Sequence, residues 1–181
     1  MNRLSGIAAC LLFLPLTTLA ATRAYEVAPF DSVSVAAGVN VDITSGSSRS
    51  VVAETRAGGF DDLRISVQGN VLKIDRSPRG WFQFMRPGYS VHVVTPQLRS
   101  VTGSSGADVT VKGAIDGDFA VDASSGSDIH VSGLKAGTVK AHASSGSDLE
   151  LAGSCTTVEV EASSGSDVDA VDPAVLRQAR T

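Results

Sequence analysis

The sequence predicts an all-β fold: a right-handed parallel β-helix, or solenoid, entered through an irregular, partly antiparallel N-terminal β region. Three observations lead there. The first is a motif written four times, in "GSSGADVTVKG", "ASSGSDIHVSG", "ASSGSDLELAG" and "ASSGSDVDA", with Gly106, Gly126, Gly146 and Gly165 spaced by 20, 20 and 19 residues. A fixed period of this length marks a stacked architectural unit, whereas a chemical site is normally assembled once. The second is period-two patterning inside a unit: Val121, Ala123, Ser125, Ile129 and Val131 share one face, and Asp122, Asp128, His130 and Ser132 share the other. The third is that one unit has too little apolar surface to stand alone. Stacked, the units bury a column of Val101, Val121, Ala141 and Val160 and another of Val109, Ile129, Leu149 and Val168.

The elements follow in order along the chain. Residues 1–20 place Arg3 ahead of an apolar run from Ile7 to Leu19 and end on small residues, the pattern of a secretory signal peptide cut after Ala20 or after Ala24. The run is too short to span a membrane. "IAAC" at Ile7 to Cys10 resembles a lipoprotein cleavage box, yet cutting there leaves too few apolar residues ahead of Cys10. Residues 25–100 form the N-terminal β region. There "SVSVAAGVNVDI" alternates around a corner at Ala37-Gly38, and "LRISVQGNVLKI" reads as two strands joined at Gly69-Asn70, a dipeptide suited to positive φ. This half lacks the repeat. "RSPRGWFQFMRPGY" then gathers Trp81, Phe82, Phe84, Met85 and Tyr89, and "YSVHVVTPQLRSV" leads into the repeat coils of residues 101–171. A second glycine, at Gly113, Gly133 and Gly153, closes each unit, and the one-residue deficit is expected in a loop between Gly153 and Ser163. Residues 172–181 read as a capping helix, with Asp172 at its start, Pro173 in the first turn and Val175, Leu176 and Ala179 turned onto the last open coil.

Coils stacked about 4.8 Å apart place outward charges side by side. Such neighbours should be complementary. Lys140 falls beside Glu159, His142 between Asp122 and Glu161, and His130 beside Glu150. The formal net charge of -4 becomes more negative once Arg3 leaves with the signal, and no basic cluster offsets it. That balance argues against nucleic acid as a partner. Loss of Cys10 would leave Cys155 as the only cysteine, so packing rather than an internal disulfide must hold the fold.

A chain whose "FDSVSVAAGVNVDI" opening leads through "VLKI" and "VTPQL" into "SSGSDI"-type units resembles the putative auto-transporter adhesin head GIN domain family, a domain of unknown function. The similarity covers about Phe30 to Ala170 and rests on the order of weak motifs. It implies a secreted, mostly parallel β-helical fold without established catalysis or cofactor.

The aspartate column, Asp108, Asp128, Asp148 and Asp167, is the sharpest candidate site. Neighbouring carboxylates at the coil repeat repel by roughly 0.9 kcal/mol in bulk-water dielectric. Either each Asp accepts backbone N–H groups of its own corner, with the preceding serines helping, or the ladder, with Glu150 and Asp169, binds divalent cations such as calcium through oxygen. The repeat is no calcium-roll nonapeptide, because the large apolar residue follows Asp directly and the period is near 20. Ser104, Ser105, Ser124, Ser125, Ser144, Ser145, Ser163 and Ser164 are copies outside any Gly-x-Ser-x-Gly motif, so they read as corner formers rather than nucleophiles. His92, His130 and His142 lack zinc-ligand spacing, and Cys155 reads as a small loop residue. Trp81, Phe82 and Phe84, bordered by arginines, either plug the first end of the solenoid or form a contact patch for protein or glycan. A β-helical polysaccharide lyase would need acids beside a basic residue that removes a proton. Here the acids lie in the repeats and the arginines elsewhere. The sequence therefore points to a non-catalytic binding or structural module without a cofactor, periplasmic or secreted, whose partner is an envelope protein or glycan.

Overall fold

The computed structural model describes residues 20–56, 58–77 and 88–171. The segment 1–19, the residues Trp81, Phe82 and Phe84 and the expected helix over 172–181 lie outside them. The strands are β1 (Ala21–Ala24), β2 (Ser32–Val35), β3 (Asn40–Ser45), β4 (Ser50–Thr55), β5 (Leu63–Gln68), β6 (Val71–Arg76), β7 (Tyr89–Thr95), β8 (Ser100–Gly103), β9 (Asp108–Ser124), β10 (Asp128–Ser144), β11 (Asp148–Ala162) and β12 (Asp167–Val171). They form one strongly curled, mixed, 12-stranded sheet, with no helix among the described residues.

The curl follows from strand length. β9 is 17 residues long, and its first part lies beside β3 while Ala120 to Ala123 lie beside β8. One strand thus spans two neighbours, and the sheet must bend along it. β9, β10, β11 and β12 then stack in parallel, with Asp128 opposite both Asp108 and Asp148, and Asp148 opposite Asp167. Each unit returns the chain to the same lateral position one strand further on. The apolar columns expected from the repeat are present: Val121 faces Val101 and Ala141, and Ile129 faces Val109 and Leu149. These side chains are buried, as are Val33, Ile43, Leu72 and Phe119 in the same core.

The N-terminal region is mixed, as expected. β1 with β4, β4 with β7 and β5 with β6 are antiparallel, whereas β2 with β6 and β8, and β3 with β7 and β9, are parallel. The β5–β6 hairpin turns at Gly69, whose φ is +65°.

Three expectations need correction. The N-terminal half does carry one turn of the repeat: β2, the corner Ala36 to Val39 and β3 lie directly beside β8, its corner and β9. The one-residue deficit is taken up by no loop between Gly153 and Ser163, since β11 is continuous there. It is absorbed where Ser132 faces Ala152 but Leu134 faces Gly153, so that Gly133 bulges out of the ladder. Glycine is required at this crossing, because a Cβ on Gly153 would lie 2.4 Å from the Leu134 carbonyl oxygen and one on Gly133 2.3 Å from that of Gly113. Cys155 sits in β11 opposite Ala136, half-buried, and not in a loop.

Candidate functional site

The five residues of the repeated motif divide the work of the corner. Its second serine and its glycine both take positive φ, as at Ser125 (54°) and Gly126 (67°), and Ala37 and Gly38 do the same in the N-terminal corner. Two left-handed residues in succession turn the chain sharply, and glycine bears this without a Cβ penalty. Corners are tied to one another by backbone bonds from the Gly38, Gly106, Gly126 and Gly146 N–H groups to the carbonyls of Ser105, Ser125, Ser145 and Ser164, at 3.1 to 3.2 Å.

The fourth position, just before the aspartate, points inward. Ser127 and Ser147 are fully buried. The Ser147 hydroxyl accepts from the Ser144 N–H at 3.1 Å and donates to the Ala123 carbonyl of the preceding coil at 3.0 Å. Ser127 does the same with Ser124 and Gly103, and Ser166 with Ser163 and Ala143. In the first unit the position is Ala107, and there the Ser104 N–H donates to the Val35 carbonyl instead. The corner bonds expected of the aspartates are therefore made by these serines.

Asp108, Asp128, Asp148 and Asp167 are left pointing out, and all but the half-buried Asp128 are exposed. Asn40 stands beside Asp108, and Ser90 beside Asn40, so the column continues past the aspartates with neutral side chains. The next outward column runs through His92, Asp42, Thr110, His130, Glu150 and Asp169. Its histidines meet carboxylates, His130 Nδ1 to Glu150 Oε2 at 2.7 Å and His92 Nδ1 to Asp42 Oδ2 at 3.4 Å. Lys140 reaches Glu159 at 3.3 Å, and His142, in register between Asp122 and Glu161 as expected, pairs with Glu161 at 3.5 Å. Asp148, Glu150, Asp167, Asp169 and His130 line a shallow hollow of about 270 Å³. Among the described residues, no three His, Cys, Asp or Glu side chains converge as a metal site.

Sequence reasoning missed a buried cluster beside the aromatic segment. Tyr89, grouped in the sequence with the aromatics of that segment, is buried in β7 with its ring stacked on Phe60 at 6.0 Å. Its hydroxyl donates to Asp62, which also accepts from Arg76 Nε at 3.3 Å, and the Arg76 guanidinium lies 4.6 Å from the ring centroid. Burial, reinforced by the Asp62 carboxylate, pushes the Tyr89 pKa up to about 12. Burial also raises the Cys155 thiol, which leaves it less reactive. The only sequence signal for the cluster was the spacing of Asp62, Arg76 and Tyr89 around a hairpin, which without tertiary contacts says nothing.

Fold and site together define an all-β repeat module with a periodic acidic face. Residues 29–175 match the family described as putative auto-transporter adhesin, head GIN domain, and the chain belongs to it. A solved structure of a putative adhesin from Bacteroides fragilis is similar at a TM-score of 0.75 and 12% identity, covering 84% of this chain and 71% of that one. A putative adhesin from Parabacteroides distasonis gives 0.65 at 13% identity, covering 83% and 73%. A protein from the same organism described as a putative lipid binding protein gives 0.59 at 13%, with the same coverage. At these identities the likeness is one of fold. No curated protein matches the sequence.

Proposed function

We propose that the protein is a non-catalytic, adhesin-like binding or structural module of the bacterial cell envelope. In this reading residues 1–20 direct its export to the periplasm or beyond, and the chain winds as a right-handed parallel β-helix whose outward columns meet an envelope protein or glycan. The observation that supports it most is the recurrence of the same outward side chains on successive strands, with Asp108, Asp128, Asp148 and Asp167 in register. Such a face offers many equivalent shallow contacts rather than one enclosed constellation. The family's adhesin description points the same way. Trp81, Phe82 and Phe84 supply the aromatic anchors of the contact.

The test is saturable binding of the labelled mature chain to isolated envelope fractions, competed by unlabelled chain. Sensitivity to protease or to glycosidase then separates a protein from a glycan partner, and Trp81→Ala lowers the bound fraction at unchanged melting temperature. Binding that never saturates, or that Trp81→Ala leaves intact, counts against the reading.

A second reading takes the hollow between Asp148, Glu150, Asp167 and Asp169 as a weak divalent-cation site. Its carboxylates face one another in pairs rather than as a closed shell, so affinity belongs in the millimolar range of open oxygen sites, on the order of 10⁻³ M. Calcium at that concentration should raise the melting temperature of the parent and not of Asp148→Asn; no rise in the parent removes the reading.

A further inference from the structure

We infer that the outer edge of β11 is a docking edge for a partner's extended segment in which apolar and basic residues alternate. The inference concerns a different surface from the aspartate column and stands or falls independently of it. Residues 153–162 pair with β10 on one side, and among the described residues no strand lies on the other. The core beneath is one strand short. On β10 the inward residues Val139, Ala141 and Ala143 are at most 3% exposed, whereas on β11 Val158 is buried, Val160 is half-buried and Ala162 is exposed.

Charge specifies what fits. β10 presents Lys140 and His142, two residues apart, to Glu159 and Glu161 of β11. From Ala143 to Val171 the chain holds Asp148, Glu150, Glu159, Glu161, Asp167 and Asp169 and no Lys, Arg or His. A carboxylate has acceptor capacity on both sides. The next strand outward is therefore matched by the pattern of Val139 to Ala143, "VKAHA", with apolar side chains turned in and cations turned toward Glu159 and Glu161. Addition of a strand to an open edge takes its affinity from main-chain bonds and its selectivity from alternate side chains. A second copy docked edge to edge would set glutamates against glutamates, which is repulsive. Its own "VKAHA" is already held between β9 and β11. Residues 172–181 carry Arg177 and Arg180, three apart, which is not the two-residue spacing of a strand face.

The probe is a blocked Val-Lys alternating hexapeptide titrated onto the full chain, beside a peptide of the same composition in block order. We expect saturable one-to-one binding of the alternating peptide, at least tenfold weaker binding of the block peptide, and new hydrogen-exchange protection across residues 153–162. The double variant Glu159→Lys, Glu161→Lys should lose the Val-Lys peptide and bind a Val-Glu one. Exchange on the unmodified chain keeps the test decisive if that variant does not fold. Equal binding of both peptides, protection elsewhere, no binding, or binding only after removal of residues 172–181 overturns the proposal.

Discussion

Ser147 shows what a single hydroxyl does in this protein. It is buried, accepts from one N–H and donates to the strand before it, so Ser147→Ala removes both of these bonds, while the equivalent N–H and carbonyl bond each other directly where Ala107 holds the position. The expected loss is about 0.5–1.5 kcal/mol, read from the urea midpoint, while Asp148→Asn should cost nothing because it relieves like-charge repulsion. The sequence reading assigned the corner bonds chiefly to aspartate, with the serines helping, because short polar side chains do this in turns. It lacked the one fact that decides the matter, namely that the fourth residue of the corner points inward and the fifth outward. Tyr89 provides a second prediction. Its folded pKa lies above the ordinary value of about 10, so its contribution to stability is whole below that pH and is lost as pH rises toward about 12. Unfolding curves across that window should fall more steeply for the parent than for Tyr89→Phe.

Among the strands, the crossing of β10 and β11 is the least forgiving place. Gly153 has a φ of +138°, and a Cβ there would strike the Leu134 backbone, which cannot swing aside as a side chain would. Gly153→Ala should therefore cost about 3 kcal/mol or more, combining backbone strain with overpacking. Gly117→Ala, with nothing within 4 Å, incurs the strain alone. Thermal melts of the two variants make the comparison. The ion pairs between these strands were legible beforehand because a 20-residue period fixes which side chains are neighbours. The N-terminal corner was not. It writes Ala-Ala-Gly-Val-Asn where the others write Ser-Ser-Gly-Ser-Asp or, once, Ser-Ser-Gly-Ala-Asp, keeping only the backbone conformation, the buried fourth position and the polar fifth. Pattern matching on residue identity passes over such a match; the β5–β6 hairpin was legible in its Gly69-Asn70 turn, but the antiparallel partners of β4, namely β1 and β7, depend on contacts that no local pattern encodes.

Across the parallel strands β9 to β12, stability is close to a sum over neighbouring repeats. Removing residues 128–147, one whole unit, should leave a folded protein of lower melting temperature, since Asp148 then takes the place of Asp128 beside Asp108. Removing only residues 128–137 keeps inward side chains inward but brings the next corner round ten residues early, off its neighbours, and should abolish the cooperative melt. Far-UV circular dichroism and a thermal scan distinguish the two. The bulge at Gly133 carries this logic into descent. Because the odd residue is swallowed inside a strand pair rather than passed along the chain, a copy of 19 residues sits on a copy of 20 without disturbing the next, and duplication and small deletion can act on the array separately.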